Sequence, residues 1–282
     1  MSGVAPWLGI QETLVPGAGA PERLAFAREA GFDGLELRDA GPGRAHELRV
    51  VLDGPDAGPG AMGAGGVFAT VCPELEGWLG DFDPARRRRA LDALRAQLDG
   101  IAALGGRGVV TPAAWGMFTR RLPPFGEPPR TPAEDREVLL AALAALGAHA
   151  EAAGAVLLFE PLNRYEDHMV NTVAQAAELV RAAGSAGLRV LADTYHMNVE
   201  EDDPCAALQA AADVLGAVHL SDSNRHQPGA GHVDFAAVLQ TLAGVGFTGT
   251  LSVECRLRGE PAGAVRDCGR HLRGLVETAW DA

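Results

Sequence analysis

The stretch Val156-Leu157-Leu158-Phe159-Glu160 is a short apolar run that ends in a carboxylate. Three further runs of this kind follow at intervals of about one strand and one helix, over residues 188–193, 216–219 and 251–254. Short apolar runs separated by helical patterns are typical of buried parallel strands. Each run ends in a side chain that can bind a metal ion, namely Glu160, Asp193, His219 and Glu254.

The first half of the chain shows the same alternation. Further strands are predicted over residues 8–11, 34–38, 67–71 and 108–112. Helices are predicted over residues 21–30, 45–52, 84–104, 131–153, 173–183, 204–214, 234–244 and 262–280. Two helix starts are well marked, because Asp83 precedes Pro84 as an N-cap and Thr131 forms a capping box with Glu134.

Eight strand-then-helix units without a break predict a closed (β/α)₈ barrel rather than an open, doubly wound sheet. The length of 282 residues fits one barrel domain over residues 1–282. In a parallel barrel the C-terminal strand ends share one mouth, so the four candidate ligands should converge there. Two glutamates, one aspartate and one histidine make an oxygen-rich site for a divalent cation.

Composition narrows the possible functions. The formal net charge of −13 argues against binding to a nucleic-acid backbone. All 24 basic residues are arginine, which excludes Schiff-base catalysis by lysine. No apolar segment is long enough to predict a membrane span, and no signal peptide is recognisable. The four cysteines lack CxxC spacing, so free thiols and a cytoplasmic location are expected.

Local motifs surround three of the candidate ligands. One is Glu160-Pro161-Leu162-Asn163-Arg164-Tyr165-Glu166, and a second is Asp193-Thr194-Tyr195-His196-Met197-Asn198. The third covers residues 219–225 and continues over residues 228–234. With these motifs the chain resembles the xylose-isomerase-like sugar isomerase/epimerase superfamily, particularly ketose 3-epimerases of the tagatose/allulose type. The resemblance covers residues 155–256. The N-terminal half matches only in its alternation of predicted strands and helices.

The resemblance implies an enzyme with one divalent metal ion, Mn²⁺ in preference to Mg²⁺ or Co²⁺. Its implied ligands are Glu160, Asp193, His219 and Glu254. It also implies contacts with the carbonyl end of a sugar or polyol substrate from Glu166, His196 and Arg225. Relatives with this barrel commonly form homodimers or homotetramers, so such an assembly is expected here.

The expected chemistry is proton transfer at a carbon next to a ketone, in a ketose or keto-polyol. A metal ion chelated by the keto oxygen and a neighbouring hydroxyl stabilises the enediolate. Epimerisation removes a proton from one face and delivers one to the other, and the resemblance implies that Glu160 and Glu254 are the acid/base pair for these two transfers. Trp115 follows the fourth strand and Glu36 lies near the end of the second, so both are predicted to line the substrate pocket.

Other functions of the same barrel stay open. A lyase, such as an inosose dehydratase or a 3-keto-glycoside eliminase, would use the same metal and base. An abasic-site endonuclease would need additional histidines on the third and fourth strands, and those strands contain none. A non-catalytic sugar-binding barrel is a further alternative. No distinctive phosphate-binding loop follows the seventh or eighth strand, which favours an unphosphorylated polyol-type substrate.

Overall fold

The structure, a computed structural model, describes residues 4–54, 66–118 and 127–281. Eight parallel strands close into a barrel in chain order, because β1 pairs with both β2 and β8. The strands are β1 (Trp7–Gln11), β2 (Gly34–Leu37), β3 (Phe68–Val71), β4 (Gly108–Pro112), β5 (Val156–Glu160), β6 (Leu188–Asp193), β7 (Leu215–Leu220) and β8 (Thr250–Val253). The predicted (β/α)₈ barrel is therefore confirmed, while the ends of the predicted domain lie outside the described residues.

Helices follow the strands and surround the barrel. Within the described ranges they are α1 (Ala20–Glu29), α2 (Ala45–Asp53), α3 (Pro84–Ala103), α4 (Pro132–Ala153), α5 (Val173–Ala183), α6 (Thr194–Glu200), α7 (Pro204–Ala210), α8 (Phe235–Gly244) and α9 (Pro261–Trp280). The predicted helix starts are confirmed. Asp83 accepts a hydrogen bond from the Ala85 N–H at 2.8 Å, and Thr131 with Glu134 forms the complete capping box.

The segment between β6 and β7 differs from the prediction. Helix α6 over residues 194–200 was not predicted, and α7 covers only residues 204–210 of the helix expected over residues 204–214. Helix α6 begins directly after β6 because the Asp193 carboxylate caps it, accepting a hydrogen bond from the Tyr195 N–H at 2.7 Å. Asp203 and Pro204 then start α7, which ends at Ala210. The Asp193 backbone thus joins strand and helix without a loop.

An apolar layer lies inside the barrel. Its buried members are Val110, Leu158, Leu191 and Ala217. Three of them stand two positions before Glu160, Asp193 and His219. Side chains two positions apart on a strand point to the same side. This apolar layer therefore lies directly below the candidate ligands, on the inside of the barrel.

A much larger apolar core lies between the outer face of the barrel and the helices. None of the helices in the described part of the chain combines the length and apolar character that crossing a bilayer requires.

Candidate active site

The four residues at the ends of β5 to β8 meet at the barrel mouth. Glu160, Asp193, His219 and Glu254 each place one ligand atom within 4.8 Å of the others. Asp193 and His219 are fully buried, and Glu160 retains only 4% of its exposure. Because neighbouring parallel strands end at the same edge, residues far apart in the chain are brought to one point.

Several ligand atoms in this cluster have no hydrogen-bond partner among the described residues. They are Glu160 Oε1, Asp193 Oδ2 and His219 Nδ1, all of them buried. The Nδ1 atom lies 2.9 Å from Glu254 Oε2 and 3.6 Å from Glu160 Oε1. A buried polar atom left unpaired costs about 1–3 kcal/mol, and a shared cation would satisfy all of these atoms together. The cluster can therefore hold one metal ion.

The electrostatics of the cluster also favour a cation. Burial raises the pKa of Asp193 to about 8, and the neighbouring Glu160 and Glu254 add to that rise. Burial likewise raises the pKa of Glu160. Burial opposes ionisation of Glu254 too, but contact with His219 holds the pKa of this carboxyl below its usual range. Closely packed carboxylates either take up protons or bind a cation, and the donor set suits a divalent ion.

The residues predicted to contact a substrate surround one side of this cluster. Trp115 Nε1 donates a hydrogen bond to Glu166 Oε2 at 3.1 Å, and Arg225 Nη1 lies 4.0 Å from Glu166 Oε1. His196 Nε2 lies 3.1 Å from Arg225 Nη1 and 3.9 Å from Asp193 Oδ2. The structure thus brings the four side chains together, and their contact with a substrate stays a prediction.

A comparison with known families matches residues 24–275 to the family described as Xylose isomerase-like TIM barrel. The chain belongs to this family. The family resemblance inferred from the motifs is confirmed, and the match extends well into the N-terminal half.

Relatives of this xylose isomerase-like barrel are sugar epimerases. The 3-dehydro-D-guloside 4-epimerase of Escherichia coli K12 is 38% identical over 254 residues, covering 89% of this chain and 93% of the relative. The L-ribulose 3-epimerase of Mesorhizobium japonicum is 33% identical, covering 82% of this chain and 73% of the relative. A 3-keto-D-glucoside 4-epimerase from E. coli, known from an apo crystal structure, is 36% identical in sequence to this chain. The two structures superimpose with a TM-score of 0.87 over 95% of this chain and 99% of the epimerase chain.

In this xylose isomerase-like barrel, Glu36 has an environment that the sequence did not suggest. It is predicted to contact a substrate, but the structure places its carboxylate against His219, with 3.0 Å between Oε2 and Nε2. Thr70 donates a hydrogen bond to the same oxygen at 2.7 Å. Gln11 Nε2 donates to Glu36 Oε1 at 3.1 Å and to Glu254 Oε1 at 2.9 Å. A buried polar layer therefore connects β1, β2 and β3 to the cluster.

His196 is held in one orientation by the loop after β5. The backbone N–H of Asn163 donates to its Nδ1 at 3.0 Å. Burial and the nearby Arg225 charge lower the pKa of His196 well below its usual value, so the ring is neutral. With Nδ1 acting as acceptor, the ring hydrogen resides on Nε2, the atom that faces Arg225 and Asp193.

Arg225 has an unusual backbone. It is the non-glycine residue with a positive φ, +60°, in the part of the chain that the structure describes. Its N–H donates to the Asp222 carbonyl at 2.7 Å, and its carbonyl accepts from the Arg256 N–H at 2.8 Å. Strained residues of this kind cluster at functional sites, where surrounding contacts hold them.

Asp222 organises the loop that presents Arg225. Its carboxylate accepts hydrogen bonds from the backbone N–H groups of Ser223, Gly229 and Val233, at 2.7, 2.9 and 3.1 Å. Sequence reasoning assigned no role to Asp222 or to Thr70. The glycine-rich stretch after Arg225 indicates a tightly folded loop and is the feature of the sequence that could have drawn attention to Asp222. No local sequence feature sets Thr70 apart from other strand residues.

Proposed function

We propose that this protein is a divalent-metal-dependent sugar epimerase that inverts a carbon next to a ketone. The observation that carries the proposal is the convergence of unpaired ligand atoms from Glu160, Asp193 and His219 beside Glu254. These four residues would hold the ion. When bound, it would act as a Lewis acid on the substrate's keto oxygen and stabilise an enediolate.

In the proposed reaction, Glu160 and Glu254 exchange protons with the substrate. One carboxylate removes the carbon-bound proton, and the other carboxyl group delivers a proton to the opposite face of the same carbon. Both side chains meet at one cluster, as two-sided proton transfer requires. The apolar layer below them limits access of water to the carbanionic intermediate.

The side chains on the other side of the cluster supply hydrogen bonds. His196 Nε2 and Arg225 Nη1 lie 3.1 Å apart, so a substrate oxygen beside the pair would lie within hydrogen-bond distance of both and would accept from both. Glu166 would accept from a hydroxyl group, and Trp115 would hold Glu166 in place while covering the sugar. These roles support a substrate with a ketone flanked by hydroxyl groups.

The substrate class that we propose is a 3-keto glycoside, epimerised at C4. The support is the 38% identity to the 3-dehydro-D-guloside 4-epimerase across nearly the whole of both chains. A 3-dehydro sugar reacting at C4 and a 2-ketose reacting at C3 both exchange a proton next to the ketone. The same residues therefore serve either reaction, and free ketoses are the alternative substrate class.

Further properties belong to the same proposal. The ion would be Mn²⁺, with Mg²⁺ or Co²⁺ as alternatives, because carboxylate-rich sites suit these ions. The protein would act in the cytoplasm as a single-domain homodimer or homotetramer on an unphosphorylated sugar. A net charge of −13 supports the absence of a nucleic-acid partner.

The test is exchange of carbon-bound hydrogen for deuterium, followed by NMR in D₂O with added Mn²⁺. The compounds would be a methyl 3-keto-glucoside, L-ribulose and an inosose, each with an EDTA-treated control. Metal-dependent exchange at one carbon next to the ketone, with formation of its epimer, is the expected result. Release of the aglycone or of water would instead identify a lyase. Absence of any reaction in protein that binds Mn²⁺ would contradict the proposal.

A further inference from the structure

The carboxylate of Glu36 lies deep in the barrel, although it belongs to no predicted metal-ligand set. Its residue is 1% exposed. Oε2 lies 3.0 Å from His219 Nε2 and accepts a hydrogen bond from Thr70, while Oε1 accepts from Gln11. A buried carboxylate is costly unless it is paired and hydrogen-bonded, so this degree of organisation calls for a specific role.

The two nitrogens of His219 face different partners. Nε2 faces Glu36, whereas Nδ1 faces Glu160 and Glu254 in the ligand cluster. An ionised carboxylate accepts hydrogen bonds and cannot donate them. Nδ1 faces the Glu254 carboxylate at 2.9 Å in the same way, so in the absence of an ion either nitrogen can carry the ring hydrogen. An ion bound by Glu160 and Glu254 would need the lone pair of Nδ1, and the ring hydrogen would then reside on Nε2, where Glu36 accepts it.

We propose that Glu36 is a positioning residue for the metal centre. It holds His219 in the tautomer and orientation in which Nδ1 binds the ion, and it increases the basicity of that nitrogen. Carboxylate–histidine–metal arrangements act in this way, and loss of the outer carboxylate typically weakens metal binding by roughly 10–100-fold. This role is separate from the substrate contact predicted for Glu36 from the sequence, which stays a prediction, and it rests on the metal site of the proposed function.

Gln11 extends the same arrangement to a second candidate ligand. Its side-chain amide carries two hydrogens, and its Nε2 donates to both Glu36 Oε1 and Glu254 Oε1. One amide thus bridges two carboxylates that would otherwise repel each other. Glu36 is in this way connected to His219 directly and to Glu254 through Gln11, so both ligands have a fixed direction before an ion arrives.

The experiment compares Mn²⁺ affinity in the wild-type protein, Glu36→Gln and Glu36→Asp, with free Mn²⁺ measured by EPR. Gln keeps the volume but loses the charge, and Asp keeps the charge but shortens the reach. We expect both variants to bind Mn²⁺ roughly 10–100-fold more weakly. Ser252→Ala is the matched control, expected to keep wild-type affinity. Ser252 is 2% exposed, its Cα pairs with that of His219, and its hydroxyl has no hydrogen-bond partner among the described residues.

A second measurement reads the position of the His219 ring hydrogen directly. Imidazole ¹⁵N spectra of histidine-labelled protein loaded with diamagnetic Mg²⁺ would be assigned with His219→Asn. We expect the Nε2–H form of His219, with Nδ1 bound to the ion, in wild type, and a mixture of this form with metal-free His219 in Glu36→Gln at the same Mg²⁺ concentration. An Nδ1–H form in wild type, or unchanged Mn²⁺ affinity in Glu36→Gln, would overturn the inference. Neither measurement uses a sugar, so a protein that binds Mn²⁺ without exchanging deuterium contradicts only the proposed function.

Discussion

Asp193 and His219 are direct Cα partners in the pairing of β6 with β7, at the mouth of the barrel. The register thus sets both candidate ligands at the same height. Glu160 ends β5 opposite Pro112, and Glu254 directly follows β8, whose Val253 pairs with Leu220. Because the strands run in parallel and in chain order, one register brings all four side chains together. The metal centre that we propose is a consequence of strand pairing, and its properties can be tested separately from any sugar.

Metal binding should stabilise the folded protein. At a Mn²⁺ concentration of one hundred times the dissociation constant, the free energy of unfolding should rise by about 2.7 kcal/mol. The physical reason is that the unpaired oxygens and nitrogen of the cluster gain a partner in the folded state only. Urea unfolding with Mn²⁺ and with EDTA measures the difference. The same gain in Asp193→Asn would show that the ion binds elsewhere.

Replacement of Glu160 by glutamine should abolish turnover while the fold is retained. The amide cannot accept the carbon-bound proton, so the exchange rate should fall by roughly 10²–10⁴-fold. The measurement is deuterium exchange with saturating Mn²⁺ and substrate, alongside circular dichroism. Glu178→Gln serves as the control, because Glu178 lies on the outer helix α5 and pairs with Arg136. Near-wild-type exchange in Glu160→Gln would refute its role as a base.

Replacement of Arg225 by glycine or by alanine should lower kcat equally but should affect the stability of the protein differently. Arg225→Gly and Arg225→Ala both remove the guanidinium, but only glycine adopts a φ of +60° without cost. We expect Arg225→Gly to be more stable than Arg225→Ala by about 1–2 kcal/mol. Both should lose roughly 10²–10³-fold in kcat, the cost of one oxyanion donor. Unfolding and kinetic measurements on the pair check this, and equal stability would argue against strain at this position.

Asp222 should contribute stability that depends on pH. Burial opposes its ionisation, but the backbone N–H groups of Val233, Gly231, Ser223 and Gly229 hold the pKa of this carboxyl below its ordinary value. Stabilisation by such a group is complete above the unfolded pKa, near 3.9, and is lost as the pH falls through the lower folded value. Asp222→Asn should therefore be less stable than wild type by about 1–3 kcal/mol at pH 7.

The difference between wild type and Asp222→Asn should begin to shrink below about pH 4, where the unfolded wild-type chain takes up a proton at Asp222, and should be lost once folded Asp222 is protonated at lower pH. Urea unfolding of both proteins at several pH values measures it. A difference that stays constant with pH would mean that the carboxylate charge has no part in holding the loop. A lowered kcat in Asp222→Asn would further indicate that the loop presents Arg225 to the substrate.

Local patterns in the sequence were sufficient for the fold and for the candidate ligands. Apolar runs, caps and turns report on neighbouring residues, and each candidate ligand stands at or beside the end of such a run. The exception between β6 and β7 has a local cause, since the capping carboxylate of Asp193 also ends a strand and starts α6 at once. Periodicity in the sequence describes one strand or helix at a time. It therefore does not reveal that Asp193 is both the last residue of a strand and the N-cap of the next helix.

The sequence by itself determined eight strand–helix units and four candidate ligands, because these depend on short-range patterns and on the geometry that all parallel barrels share. Only the tertiary structure decided what surrounds the ligands. Glu36 and His219 are 183 residues apart, and Gln11 and Glu254 are 243 apart. These pairs meet because β1 closes the barrel against β8 and brings β2 across from β7. Hydrogen bonds of this kind depend on side-chain positions at closure, which no local pattern encodes.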